Sequence, residues 1–398
     1  MYLLLWTEQK TVQIAVASSF SGKYKDYGNE MLRGINLYID QINSKGGING
    51  TKIKLLVFDD KGTGNGAVKS AKDIVKNNKI LLVLGHYLST SCLYAAPIYE
   101  KNKMPSITAS ATLDELTTRN EWLFRIVPPN VCQTKFLSVY AKTALGVNKA
   151  SIIYDTDAYG SNLSKSFIEK ASEICIDIVQ KYPVSVQKTD IDNQIEQIVK
   201  SLRNKNDIDM IFLATHAKLS AKLLVQLRKN KCNQIILGSD AMASSFFLEN
   251  LKTYSKEQSS PDIYSNDIYS ITWYSPNLSG KTNIDFTKAY TNKYNFQPSL
   301  ISASAYELAH VAISALKSVD LNTFSRTTRK NNPLFISDFN PAKNPALNIK
   351  NNRKLFASCS KKGRAEIEKY SCRSSRKTEQ TPPNLVVNKK ALIQIHLK

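Results

Sequence analysis

From Thr11 to about Val127, short apolar runs alternate with amphipathic stretches. Thr11–Ser18 (TVQIAVAS) has the near-continuous apolar character of a buried strand. Across 29–44, Leu32, Ile35, Ile39 and Ile42 recur at helical spacing, so one face of a helix is apolar. GGING (46–50) is a turn signal, and Lys52–Asp59 (KIKLLVFD) follows as a strand. Gly66–Asn77 reads as a helix, Ile80–Gly85 (ILLVLG) as a buried strand and Ser91–Asn102 as a helix, with Met104–Ala109 (MPSITA) closing the series. Strict alternation of strand and helix predicts a mostly parallel sheet covered by helices on both faces.

The pattern then restarts. Ala150–Asp155, Asp177–Val186, Asp209–Ala214 and Gln234–Gly238 read as strands, separated by helical stretches centred near 168, 197 and 224. Ile268–Trp273 (IYSITW) and helices over 284–294 and 299–318 come next and are expected to return the chain to the first unit. At 398 residues the chain is too long for one ordinary core and suits two. The expected fold is α/β: two Rossmann-like lobes with parallel sheets joined by a multi-stranded hinge. Lobe 1 is expected over 11–129 and 255–340, lobe 2 over 130–254, and a basic, atypical, disordered tail over 341–398.

Charge changes the picture only at the C-terminus. The formal net charge is +21, and residues 326–398 hold 17 Lys/Arg against 4 Asp/Glu, leaving about +8 for the first 325. A basic total is compatible with a nucleic-acid or anionic-membrane partner. Its concentration in one stretch poor in periodicity fits a weakly structured tail better, and no nucleic-acid partner is expected. Leu385–Val387 and Leu392–Ile395 are the only late β-like runs. The six cysteines are widely spaced with no CxxC pair, so they read as mostly buried thiols, with room for one bridge. No apolar run approaches a membrane span. Met1–Trp6 (MYLLLW) is too short for a complete secretory h-region and could be the remnant of a longer one.

Catalytic patterns are missing: there is no GxGxxG after a strand, no GxxxxGK[ST], no HExxH and no GxSxG, and the four histidines are scattered. No enzyme activity, cofactor or metal is expected. Polar residues gather instead at the carboxyl ends of strands, where open α/β sheets bind ligands. GHYLSTS (85–91) places Ser89, Thr90 and Ser91 at a helix start, where they either cap the helix or receive an anion. TASAT (108–112) adds the hydroxyls of Ser110 and Thr112. In the second unit, DTDAYG (155–160) brings Tyr159 to a strand end and GSD (238–240) brings Asp240. That carboxylate either caps the next helix or pairs with an ammonium group. Hydroxyls for a carboxylate together with an Asp for an ammonium are what a zwitterionic amino acid requires.

These blocks resemble the branched-chain amino-acid binding proteins of bacterial ABC importers, members of the type I periplasmic binding proteins. The resemblance runs through SGKYKDYGNEMLRGINLYIDQINSKGGINGTKIKLLVFDD (21–60), GHYLSTS, IYEKNKMPSITASAT (98–112), LFRIVPP (123–129), IIYDTDAYG and the stretch from IDMIFLATH to ILGSDA, over roughly 11–320. It implies that an amino-acid-like ligand binds between the lobes, with a membrane permease as partner and a periplasmic or membrane-anchored extracytoplasmic location. A sensing domain of a signalling receptor, or a binder of an amide or other small carboxylate, is the alternative. By position, Ser89, Ser110 and Thr112 correspond to carboxylate- and ammonium-contacting residues, Tyr159 to the second lobe's aromatic residue and Asp240 to the acidic partner of the ammonium. Tyr27 and Tyr87 fall where side-chain pocket residues are expected. His216 is either an aromatic lid residue or simply a polar strand end. The disulfide that some members carry near the first lobe's cleft has no counterpart, the matching positions being about Gly62 and Leu88. The family's closing strand–turn–strand has PLFISDF (333–339) as its nearest candidate.

Overall fold

The computed structural model describes residues 11–118, 120–185, 190–205, 207–254, 263–318 and 393–396. In chain order the elements are β1 (Val12–Ser18), α1 (Lys25–Ser44), β2 (Ile53–Asp59), α2 (Gly64–Lys76), β3 (Ile80–Gly85), α3 (Ser89–Lys101), β4 (Ser106–Thr108) and β5 (Leu123–Arg125). They continue with α4 (Asn130–Thr143), β6 (Lys149–Asp155), α5 (Ala158–Glu173), β7 (Asp177–Val184), α6 (Ile191–Arg203), β8 (Met210–Ala214) and α7 (Ala217–Lys229). The remainder are β9 (Ile235–Gly238), α8 (Ser245–Leu251), β10 (Ile268–Thr272), α9 (Lys281–Tyr294), α10 (Leu300–Lys317) and β11 (Ile393–His396).

These elements fall into two compact units. The first contains the described residues of 11–111, 115–127 and 281–318. Its sheet has the order β2-β1-β3-β4-β5, and every pair in it is parallel. Parallel strands need crossovers, and the helical patterns between the apolar runs supply them. On one face Ala67, Ala71 and Ile74 of α2 and Ala95 and Tyr99 of α3 pack with Ala15, Ala17 and Val83 of the sheet. Each fully buried Ile or Val side chain here contributes about 1.5–3 kcal/mol.

α1 packs along α10, and a buried polar knot ties α1 to both late helices. Glu30, 3% exposed, pairs with Arg33 and accepts from Tyr290 Oη at 2.9 Å and Ser299 Oγ at 2.9 Å. Ser299 also caps α10 through its side chain. Removing the acceptor would leave two hydroxyls and a partly buried guanidinium short of a partner. Glu30→Ala is therefore expected to cost roughly 3 kcal/mol, measured by urea unfolding against wild type, with Arg33→Lys costing less.

The second unit contains the described residues of 112–114, 128–280 and 393–396. Its sheet runs β11-β10-β9-β8-β6-β7, again parallel throughout. The core joins Leu137 of α4 and Leu163 and Phe167 of α5 to Met210, Phe212, Leu237 and Ile271 of the sheet, with Phe167 stacked on Phe212 at 4.1 Å between centroids.

Two features differ from the sequence reading, and the cysteines include the bridging that it left room for. β10 pairs with β9 (Ile268↔Ile236), so 263–280 belong to the second unit, and the chain returns to the first at Lys281 instead of 255. The reason is that Ile268 and Ile271 need cover, and the open edge beside β9 provides it. β5 is a strand, although its three residues are too few for a periodic signal. Among the described cysteines, Cys92 and Cys232 are buried thiols, while Cys132 and Cys175 each take part in a disulfide. Burial pushes the Cys92 thiol up to about 12, so it stays protonated.

Of the late β-like runs, Leu392–Ile395 overlaps β11. The readings of Met1–Trp6, PLFISDF, Leu385–Val387, Cys359, Cys372 and the rest of the basic tail lie outside the described residues. No helix among the described residues is long and apolar enough to cross a membrane.

Candidate functional site

In the first unit, the candidate residues sit on the loops that leave the carboxyl ends of the strands. β3 ends on Gly85, whose φ of +126° is open to glycine alone and whose absent Cβ would lie 2.0 Å from the Ala17 carbonyl. From there the chain passes through His86 and Tyr87 into α3. The residue preceding α3 is Leu88, in extended conformation and without a capping side chain. Helix capping therefore does not account for the serines. Ser89 opens the 13-residue helix and is buried, and Ser91 Oγ is buried with no hydrogen-bond partner among the described residues. The amino end of α3 carries the partial positive charge that favours an anion.

The β4 loop closes on this one. Ser110 Oγ donates to the Tyr87 carbonyl at 2.6 Å, and Thr108 Oγ1 donates to the His86 carbonyl at 2.8 Å. Tyr27, near the start of α1, packs against Tyr87 at 5.3 Å between centroids and edge-on against Tyr24 at 6.0 Å. Ser110, Tyr27 and Tyr87 are thus brought together with the start of α3. Gly62 and Leu88, the positions matched to the missing disulfide, are neighbours: a Cβ on Gly62 would lie 3.4 Å from Leu88 Cδ1.

Thr112 falls in the second unit, not with Ser110. Its carbonyl accepts from Asn130 N, the first residue of α4, at 2.8 Å, which fixes that assignment. Its Oγ1 is buried with no hydrogen-bond partner among the described residues.

The other second-unit candidates form one chain of contacts. Tyr159 Oη lies 2.8 Å from Asp240 Oδ1 and 2.8 Å from Ser239 Oγ. Burial raises the Tyr159 pKa well above the usual range, with Asp240 adding to it, so the phenol keeps its proton and donates. His216 stacks on Tyr159 at 4.9 Å between centroids, and its Nε2 lies 2.8 Å from Asp157 Oδ2. His216 lies between the end of β8 and the start of α7, and its ring is held against Tyr159. Asp240 opens a short 3-10 turn whose N-cap is Ser239, so it does not cap the next helix. Burial raises its pKa above the ordinary carboxylate value, and bonds from Tyr159 and Gln133 oppose that only in part. A carboxylate in this position gains from a cation beside it.

Asp155, Asp157 and His216 carry metal-ligand atoms all within 4.8 Å of one another. Both Asp157 oxygens are engaged, Oδ1 by Gly160 N at the start of α5 and Oδ2 by His216. Asp157 thus ties His216 to the start of α5. A cavity of about 330 Å³ lined by Tyr182, Pro183, Gln194 and Gln197 contains none of the candidate residues.

The sequence profile described as "Periplasmic binding protein" matches residues 11–331. The chain belongs to the periplasmic binding protein family. Members of that family are binding proteins, in keeping with the lack of catalytic motifs. Among curated relatives, the Leu/Ile/Val-binding protein of Citrobacter freundii is 26% identical over 236 residues, 59% of this chain and 63% of the relative. The amino acid binding protein of Pseudomonas aeruginosa is 32% identical over 154 residues, 38% of this chain and 41% of the relative. The chain thus spans less than two thirds of the length of these relatives. Among solved structures, the substrate binding protein LivJ of the branched-chain amino acid transporter from Streptococcus pneumoniae, in complex with isoleucine, superposes with a TM-score of 0.71 at 25% identity, covering 82% of this chain and 88% of that one. The leucine binding protein LivK from Thermotoga maritima shares the fold, with a TM-score of 0.68 at 22% identity over 82% of this chain and 87% of that one.

The sequence reading missed Gln133, Ser239 and Asp157, which hold Asp240, Tyr159 and His216 in place. Asp157 carried a signal, since Asp two residues before Tyr159 is an N-cap pattern. Gln133 carried none, because its contact is 107 residues distant in sequence.

Proposed function

We propose that this periplasmic binding protein captures an α-amino acid with an apolar, branched side chain and delivers it to the membrane permease of an ABC importer from an extracytoplasmic compartment. The observation that carries this reading is the Tyr159–Asp240 pair, an oriented, half-buried carboxylate that has no cation among its hydrogen-bond partners in the described residues. The ligand's ammonium supplies that cation. Its carboxylate goes to the amino end of α3, with Ser89 and Ser110 beside it, and to the Thr112 hydroxyl. Tyr27 and Tyr87 offer flat apolar surface for the side chain, and the His216–Tyr159 stack bounds the ammonium end. The names of the relatives and the isoleucine bound in the pneumococcal structure support the same ligand class.

A thermal-shift screen against the twenty amino acids, amides and small carboxylates tests this. A ligand at about 100 times its Kd stabilises the folded state by about 2.7 kcal/mol. Isoleucine, leucine or valine is expected to raise the melting temperature by several degrees, and benzoate is not. Cooperative melting that no amino acid shifts would refute the ligand class.

A further inference from the structure

We infer that His86 is a positioning residue: its buried imidazole ties the loop after β3 to α3 and, through Asp60, to the loops after β1 and β2, while its carbonyl holds the end of β4, and so it sets the shape of the surface that carries Tyr87, Ser89 and Ser110. His86 is 1% exposed, and both ring nitrogens are used. Nδ1 lies 2.7 Å from Asp60 Oδ2 and Nε2 lies 2.9 Å from Tyr99 Oη of α3. The other oxygen of Asp60 accepts from Ser19 Oγ of the β1 loop at 2.9 Å and from Gly62 N of its own loop at 2.8 Å. The His86 carbonyl accepts from Thr108 Oγ1 at 2.8 Å and from Cys92 Sγ at 3.2 Å. Thr108 Oγ1 in turn receives Ala111 N at 3.2 Å, and Ser110 Oγ holds the next carbonyl, that of Tyr87.

Although burial opposes it, the bonds from His86, Gly62 and Ser19 hold Asp60 below the usual carboxylate range, so it is an acceptor and Nδ1 must donate. In the neutral ring Nε2 then accepts from the Tyr99 hydroxyl, and every polar atom of the ring is satisfied. With no atom left for a ligand, His86 acts only through what it holds. A buried Asp–His pair is an expensive way to add stability where a packed apolar residue would serve. What it supplies is direction: the loops after β1, β2 and β3 meet on two side chains, the His86 carbonyl adds the end of β4, and the loop after β3 bears the proposed carboxylate site. The identity of the bound group rests on the amino-acid reading, whereas the locking of the loops does not.

The experiment uses the full chain and two readouts. Amide hydrogen exchange of the ligand-free protein is followed at 87–91 and 109–111 in wild type, His86→Phe, His86→Asn and Tyr99→Phe. Ile74→Ala, a core change in α2 of the same unit, is the stability control. Isoleucine affinity is measured by calorimetry on the same set. Exchange in the two loops is expected to speed up at least ten-fold in His86→Phe beyond the Ile74→Ala control, with part of the protection restored in His86→Asn. Affinity is expected to fall at least ten-fold in His86→Phe and to stay near wild type in Ile74→Ala. Should His86→Phe not fold, Tyr99→Phe, which removes only one bond to the ring, is expected to show the same pattern at smaller size. Loop exchange no faster than the control, or faster exchange with unchanged affinity, would overturn the inference. A wild type that binds no amino acid refutes the ligand reading alone, and the exchange data then decide the role of His86.

Discussion

Asp240→Asn is expected to weaken isoleucine binding by at least about 100-fold, the usual consequence of removing one partner of a desolvated charge pair. The substitution keeps the shape and leaves an oxygen for the Tyr159 hydroxyl, so it removes charge and little else. A second consequence separates it from a folding defect. An Asp whose pKa is raised by burial binds more protons in the folded chain than in the unfolded one. Its ionisation therefore costs stability as pH rises above the unfolded-state value and through the raised one. The neutral amide carries no such cost, so the ligand-free variant should melt at or slightly above the wild-type temperature at neutral pH.

Ligand binding has the opposite sign. An ammonium beside Asp240 favours the ionised form and lowers its pKa, so the complex holds fewer protons than the free protein. Wild-type affinity should fall as pH drops through the raised Asp240 pKa, while the residual affinity of Asp240→Asn stays flat across that window. Calorimetry of both proteins over a pH series checks this. A wild-type affinity that rises on acidification would remove Asp240 from the ammonium site.

Gly85→Ala carries the largest expected stability loss, roughly 3–5 kcal/mol, from backbone strain and overpacking together. At φ +126° an L side chain is strained whatever the space around it, and here there is none: the new Cβ would sit 2.0 Å from the Ala17 carbonyl of the paired strand β1. Neither strand can retreat, because β1 and β3 are central in the sheet and packed on both faces. Soluble yield and melting temperature report the effect. A control substitution at Gly46, where a Cβ would meet nothing within 4 Å, isolates the strain of a positive φ from the clash. A Gly85→Ala protein that melts like Gly46→Ala would show that the clash relaxes at no cost.

The alternation of apolar strands with amphipathic helices was readable because both periods are local, and it placed β1 to β4 and β6 to β9 within a residue or two. The candidate residues were readable for a related reason. In a parallel α/β sheet, carboxyl strand ends lie at one edge, so polar residues just after an apolar run must gather there. That reasoning puts Ser89, Ser110 and Asp240 at strand ends, and the structure does the same. It also counted Thr112 with Ser110, because two residues in one short loop look inseparable. The bond from Asn130 N to the Thr112 carbonyl places it in the other unit.

Local sequence thus determined the class of fold, the order of its elements and which strand ends bear hydroxyls or a carboxylate, since each follows from the period and chemistry of adjacent residues. Tertiary structure decided the rest. It gave β10 to the second sheet, because an edge strand is chosen by the apolar surface that needs cover. It joined Glu30 to Tyr290 and Ser299 across some 260 positions, and Asp240 to Tyr159 across 81. It also buried Asp60 and His86 together. Most buried polar atoms find a partner wherever the fold places one, and separation along the chain carries no trace of that choice.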